Sequence, residues 1–216
     1  MKNTILCLSL LYFSIIYPQK SLEARFLEKT NFDGEYFMGV DQYDSFYFID
    51  DETLYKKSAN RIQSYSNLQL GAIDQVQLFN ALKIVVLHKQ QNSVVLLDNR
   101  LAELIEINFN IMSPSQLVQH VALGSDTTFW IFNALTLQLE LFDYETKSIK
   151  LSTLPLGEEV LAIESDYNNV YALTPSYFFQ FNYTGSMVQK IKLDSFERFR
   201  VLNDILIVQK KDELFY

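Results

Sequence analysis

The chain has 216 residues, of which 49 % are hydrophobic and 20 % charged, with only 6 Gly and 4 Pro, so a disordered or low-complexity polymer is excluded. Lys and Arg number 18 against 26 Asp and Glu, a net charge of −8, which argues against binding a nucleic-acid backbone because that needs clustered cations. The 17 Phe and 13 Tyr favour half-buried, pleated strands.

The first predicted element is a leader. Lys2 precedes Ile5 to Ile16, a nearly unbroken apolar run. As a helix it would rise about 18 Å, short of the roughly 30 Å hydrocarbon core of a bilayer. The pattern therefore predicts a signal peptide over 1–19, cleaved after Gln19 or alternatively after Ala24, and no membrane span once it is removed. The expected location is periplasmic or secreted. Cys7 is the only cysteine and leaves with the leader, so the mature chain has no disulfide, thiolate metal site or cysteine nucleophile. Residues 20–216 contain no linker and read as one domain.

Within that domain a pattern recurs about every 40 residues. Segments starting at Phe46, Ile84, Phe129, Val170 and Ile205 each open on a short apolar run. A polar turn and a second apolar run follow, closing on Asp98, Asp143 or Asn182 in the three clearest copies. An alternating strand comes next, clearest in Leu104 to Phe109 and Val188 to Leu193. Ahead of each run stands another strand, namely Tyr36 to Val40, Asp74 to Phe79, Leu117 to Leu123, Val160 to Glu164 and Phe199 to Leu202.

Four short strands at this period predict an all-β β-propeller of about five four-stranded blades, because a sheet with two apolar faces must be covered by radial neighbours. A β-sandwich is the main competitor, and an incomplete six-bladed ring is the alternative count. Ser113, Pro114, Gln116 and Gly124 would also fit the start and stop of a short helix, although the repeat requires a strand there. The last repeat ends at Tyr216 without a fourth strand. A strand is expected within 25–33, and its pairing with 212–216 would close the ring.

Two turns carry resemblances. Leu141 to Ser148 (LFDYETKS) resembles the Asp-x-x-Thr-Gly-Lys turn of quinoprotein-type propellers, without its Gly, and Phe181 to Ile191 (FNYTGSMVQKI) resembles the NHL-type turn. Residues 20–216 as a whole resemble small secreted β-propeller-like proteins of Bacteroidetes. The resemblance implies fold and export and supplies no activity, cofactor or catalytic residue.

No nucleophile elbow, phosphate-binding loop or zinc spacing occurs, and no cofactor is expected. Asp41 with Asp44, Asp50 to Glu52, and Asp166 with Asn168 and Asn169 offer oxygen ligands, but none has calcium-loop spacing, and turn capping is the plainer role. His88 ends an apolar run and reads as a solvated turn residue. His120 reads as half-exposed on a strand.

The first functional reading is a non-enzymatic extracytoplasmic binding or scaffold propeller. Its partner would be an envelope protein or a glycan, held by the turns between second and third strands. Asp50, Asp51, His88, Lys89, Lys210 and Lys211 are the candidate binding residues on that loop face. The alternative is a propeller hydrolase, lyase or lactonase with a central-channel site, for which Asp74, Gln75, Gln119, His120, Glu159, Glu164 and Glu197 are the available polar groups.

Overall fold

In a computed structural model, which describes residues 29, 34–202 and 205–216, each recurring apolar run becomes the second strand of an antiparallel sheet. Blade 1 is β1 (Tyr36–Val40), β2 (Phe46–Asp50), β3 (Thr53–Ser58) and β4 (Arg61–Tyr65). Blade 2 is β5 (Gln75–Asn80), β6 (Lys83–His88), β7 (Ser93–Leu97) and β8 (Glu103–Asn108). Blade 3 follows as β9 (Val118–Leu123), β10 (Thr128–Asn133), β11 (Gln138–Asp143) and β12 (Ser148–Ser152). Blade 4 is β13 (Ala162–Ser165), β14 (Asn169–Leu173), β15 (Tyr177–Asn182) and β16 (Met187–Lys192). Blade 5 has three strands among the described residues, β17 (Arg198–Leu202), β18 (Ile205–Lys210) and β19 (Glu213–Phe215).

Strands pair in chain order within each sheet. The first strands of successive blades lie side by side, β1 against β5, β5 and β13 against β9, and β17 against β13. Five blades thus follow one another around a common axis, as a five-bladed β-propeller. The expected leader at 1–19 and, Lys29 apart, the expected strand within 25–33 fall outside the described residues.

Burial follows position in the blade. Strands β7 and β10 are buried at every residue, whereas β12 alternates and β16 is almost wholly exposed. The middle strands are covered on both faces, and the outermost show one face to solvent. Apolar cores fill the blade junctions. Val86, Val95 and Leu97 meet Tyr47, Ile49 and Leu54 between blades 1 and 2. Val85, Val94 and Ile107 meet Val121, Phe129 and Phe142 between blades 2 and 3.

The Asp or Asn that closes the third strand in blades 2, 3 and 4 caps the hairpin that follows it. Asp98 Oδ1 accepts the N–H groups of Arg100 and Ala102 at 2.7 and 2.9 Å. Asp143 Oδ1 accepts those of Glu145 and Thr146, and Asn182 Oδ1 those of Thr184 and Ser186. A short carboxylate or amide beside the turn satisfies donors that the ladder leaves free.

The helix that residues 113–124 would permit does not form. Val118–Leu123 is strand β9, in register with β10 through Phe129↔Leu123 and Ile131↔Val121. Pairing there buries Val118 and Val121 fully, an instance of tertiary burial overriding local helix signals. Gly124 serves the β9–β10 hairpin instead, since a Cβ on it would run into Thr128 Oγ1 and meet the Thr128 backbone at 2.9 Å.

Candidate functional site

An antiparallel meander places its turns alternately on two faces. Turns between second and third strands share the upper face with the connections between blades, and the remaining turns share the lower face. The candidate loop-face residues therefore lie on the upper face, in blades 1, 2 and 5.

Asp50 ends β2 and pairs with Thr53 across a two-residue turn. The turn is left-handed at Asp51 (φ 45°) and Glu52 (φ 60°), the twist that suits a tight hairpin. Asp51 is exposed. The backbone N–H of Lys89 donates to Asp74 Oδ2 at 2.7 Å, which ties the turn to the start of blade 2. In blade 5 the Lys210 ammonium donates to the Asp194 carbonyl at 3.3 Å and lies 5.9 Å from the Phe196 ring centre. Lys211 is exposed with φ 55°. Among the described residues no hydrogen bond or ion pair joins these three turns. They share a face and are not a preassembled cluster.

His88 corrects the sequence expectation. It is fully buried, not a solvated turn residue. Its Nδ1 lies 3.1 Å from the Gly71 carbonyl and 3.0 Å from that of Ala72, and Nε2 lies 3.3 Å from the Tyr65 hydroxyl. Carbonyls only accept, so Nδ1 carries the proton, and Nε2 accepts from the Tyr65 O–H. Burial holds the His88 pKa below its ordinary value, against the two carbonyl bonds that favour the charged form. The ring fastens the connection between blades 1 and 2 and is not available to a partner.

Two of the polar groups proposed for a central channel, Gln75 and Glu164, hold adjacent blades together. Gln75 donates through Nε2 to the Val121 carbonyl at 2.9 Å and accepts the Val121 N–H at 3.0 Å. One side chain thus imitates a strand neighbour and joins β5 to β9. Ser165 donates to the Leu123 carbonyl, joining β13 to β9. Glu164 pairs with Arg200 at 2.6 Å across blades 4 and 5. Burial raises the Glu164 pKa to about 6, with the Arg200 charge pulling the other way. His120 is held down to about 4 by burial and then by the Lys89 charge, against a hydrogen bond with the Val160 backbone. It is a neutral imidazole near pH 7.

The tightest polar geometry belongs to Asn92 and Glu140, which the sequence did not single out, and to Asp41 and Asp166, whose expected turn-cap role the structure shows. Asn92, 5 % exposed, donates to the Gln116 carbonyl at 2.8 Å and accepts the Val118 N–H at 2.9 Å, securing blade 3 to the upper face of blade 2. In blade 3, Glu140 Oε1 accepts from Asn133 and Thr136 at 3.0 and 3.2 Å. Gln116 Oε1 and Glu140 Oε2 are buried without a hydrogen-bond partner. Asp41, on the lower face, takes bonds from the Tyr43 and Ser45 N–H groups, the Tyr47 hydroxyl and the Lys56 ammonium. Asp166 does the equivalent in blade 4, accepting from Asn168 and Asn169 N–H groups and the Tyr171 hydroxyl, each at 2.7 Å. Both carboxylates are turn caps with their oxygens occupied. Among the described residues no group of three or more His, Cys, Asp or Glu is placed to hold a metal ion, and no helix is long and apolar enough to cross a membrane.

Solved structures with the same arrangement of blades are numerous. A streptogramin B lyase aligns with a TM-score of 0.61 at 12 % identity over 83 % of this chain and 63 % of that one. The fold is that of a β-propeller. The WD40 β-propeller domain of Doa1 gives 0.59 at 14 % identity over 79 % and 58 %. The WD40 domain of Neurospora crassa Pan2 gives 0.60 at 12 % over 81 % and 58 %. This chain spans about three fifths of the length of those propellers. Identities this low convey the fold alone. No protein-family model and no curated protein sequence matches the chain.

Proposed function

We propose that this chain is a non-enzymatic extracytoplasmic propeller that binds a protein partner through the turns of its upper face. The observation that carries the reading is the use of the innermost polar side chains. Gln75, Ser165 and Glu164 are committed to backbone groups or to Arg200 of adjacent blades, whereas a channel enzyme would direct such groups at a substrate. The upper-face turns instead present both charge signs at exposed or half-buried positions, Asp50, Asp51, Lys89, Lys210 and Lys211. Mixed charge of this kind suits a protein surface, where complementary pairs set register and steer encounter. His88 belongs to the scaffold beneath that face. Export rests on the apolar leader ahead of Pro18.

Expressed with its leader in a Gram-negative host, the protein is expected in the periplasm or medium with its N-terminus at Lys20. Immobilised residues 20–216 are expected to capture a specific protein from an envelope fraction. Reversing the charge of Lys89, Lys210 and Lys211 together should reduce that capture about tenfold or more, since rim charges act mainly on association. Capture indifferent to the triple reversal, or retention of the full chain in the cytoplasm, would sink the reading.

A further inference from the structure

We infer that the upper face carries, over blades 3 and 4, an apolar docking surface for a segment of a partner protein that is itself apolar and bears Lys or Arg. Its side chains come from the connections between blades and from the β10–β11 turn. Ile111, Leu135 and Leu154 are 84 %, 59 % and 79 % exposed, and Leu117 is 37 % exposed. Pro155 is exposed as well. The surface shares the upper face with the lysine-bearing turns, yet it is built from other segments and stands or falls without them.

Hydrogen bonds tie together the segments that carry these side chains. Asn92 Nδ2 donates to Asn110 Oδ1 at 3.2 Å and to the Gln116 carbonyl at 2.8 Å, which holds both ends of the connection that carries Ile111. Asn133 Oδ1 accepts the N–H groups of Leu117 and Leu135, each at 3.1 Å, so one amide oxygen brings those two residues together. Beyond the turn, the Leu156 N–H donates to the Leu137 carbonyl and Gln138 Nε2 to that of Thr153, which lays Leu154 and Pro155 along the same end of blade 3. A lone exposed leucine is ordinary on a protein surface, whereas several on segments tied to one another mark an interaction site. Segments already fixed lose little freedom when a partner seats on them.

Charge selects the occupant. Residues 109–117, 133–137, 153–161 and 174–176 contain Glu158 and Glu159 and no Lys or Arg. Glu158 Oε2 accepts the Ser176 N–H at 3.2 Å. Bonds from the Thr174 and Ser176 side chains hold the Glu158 pKa below its ordinary value, with the Lys190 charge a lesser cause. Glu159 is exposed. Below the surface Glu140 adds a third acid, bound through Oε1 to the same Asn133 side chain, and among the described residues no Lys or Arg pairs with it. Its Oε2 is buried without a hydrogen-bond partner. An apolar surface bordered and underlain by acids attracts a cationic amphipathic segment and repels an anionic one. An anionic bilayer is repelled for the same reason, which makes the occupant a protein segment.

Fluorescein-labelled peptides titrated with the purified protein and followed by anisotropy test this. The leucine–lysine peptide LKKLLKLLKKLLKL is expected to bind saturably. The leucine–glutamate peptide LEELLELLEELLEL and the serine–lysine peptide SKKSSKSSKKSSKS should each bind roughly tenfold more weakly or worse. Leu135→Ser combined with Leu154→Ser should weaken binding of the leucine–lysine peptide roughly tenfold, the scale of losing apolar anchors. Glu158→Gln combined with Glu159→Gln should weaken it about three- to tenfold. Asp126→Asn combined with Glu145→Gln removes as many acids from exposed lower-face positions and should bind as wild type. Circular dichroism should show all three double variants folded. Absence of binding by the leucine–lysine peptide overturns the inference. So does equal binding of the serine–lysine peptide, or an equal loss in the lower-face variant, either of which reduces the effect to general attraction between opposite charges. Wild-type affinity in the leucine or the glutamate variant also overturns it, as does preferential binding to phosphatidylglycerol vesicles. Reversing Lys89, Lys210 and Lys211 leaves this surface intact, so the capture experiment is read apart from the peptide titration.

Discussion

Replacing Asp41 by alanine is expected to destabilise the protein by about 3–5 kcal/mol, the scale for removing one partner of a buried ion pair. The Asp41 side chain is wholly inaccessible and that of Lys56 is 8 % exposed, at 3.3 Å. Without the carboxylate, Lys56 keeps the Asn99 carbonyl at 3.1 Å and the Tyr47 ring at 5.2 Å. The Tyr47 hydroxyl and the N–H groups of Tyr43 and Ser45 lose their acceptor together. Asp41→Asn retains one carbonyl acceptor and should lose less. Burial alone would raise the Asp41 pKa, but the bonds from Ser45, Tyr43, Tyr47 and Lys56 outweigh it and hold it below the ordinary value. Because the folded pKa is the lower one, its stabilisation is complete above the unfolded value and disappears as pH falls through the folded value. Urea denaturation should therefore show the gap between wild type and Asp41→Asn shrinking below about pH 4. A gap that is constant with pH, or a loss under 1 kcal/mol for Asp41→Ala, would remove the ion pair from the account.

Phe142→Ala should cost about as much, roughly 3–5 kcal/mol. The ring is fully buried between blades 2 and 3, 5.0 Å from Phe109 and 5.3 Å from Phe129. The apolar cluster around it joins blade 2 to blade 3, so a cavity at this junction loosens the seam between them. Guanidinium denaturation of the variant should give a lower midpoint or a transition split in two. A single transition within 1 kcal/mol of wild type would mean that the seam does not couple the blades.

Much of this architecture could be read from the sequence because the propeller repeats. The innermost strand of blade 1 was expected at Tyr36 to Val40 and is found there. In blade 3 the expected Leu117 to Leu123 is Val118–Leu123. Apolar runs such as Val85 to Leu87 announce strands covered on both faces, and the closing Asp or Asn announces a turn. His88 was misread for a physical reason. A polar residue at the end of a strand looks solvated until the connection at 66–74 is seen to fold back with two carbonyls for its Nδ1. Gln75, available to a channel in the sequence, is seen to tie two blades only once its bonds to Val121 are known.

Gln75→Ala separates structural ties from binding surfaces most directly. Measured by urea denaturation and by capture of the upper-face partner on the same preparation, it should lose about 1–3 kcal/mol, the cost of two hydrogen bonds and the backbone groups they leave unpaired. Capture per folded molecule should stay at the wild-type level. A Gln75→Ala protein with wild-type stability that no longer captures the partner would contradict the account and return the innermost strands to the functional site.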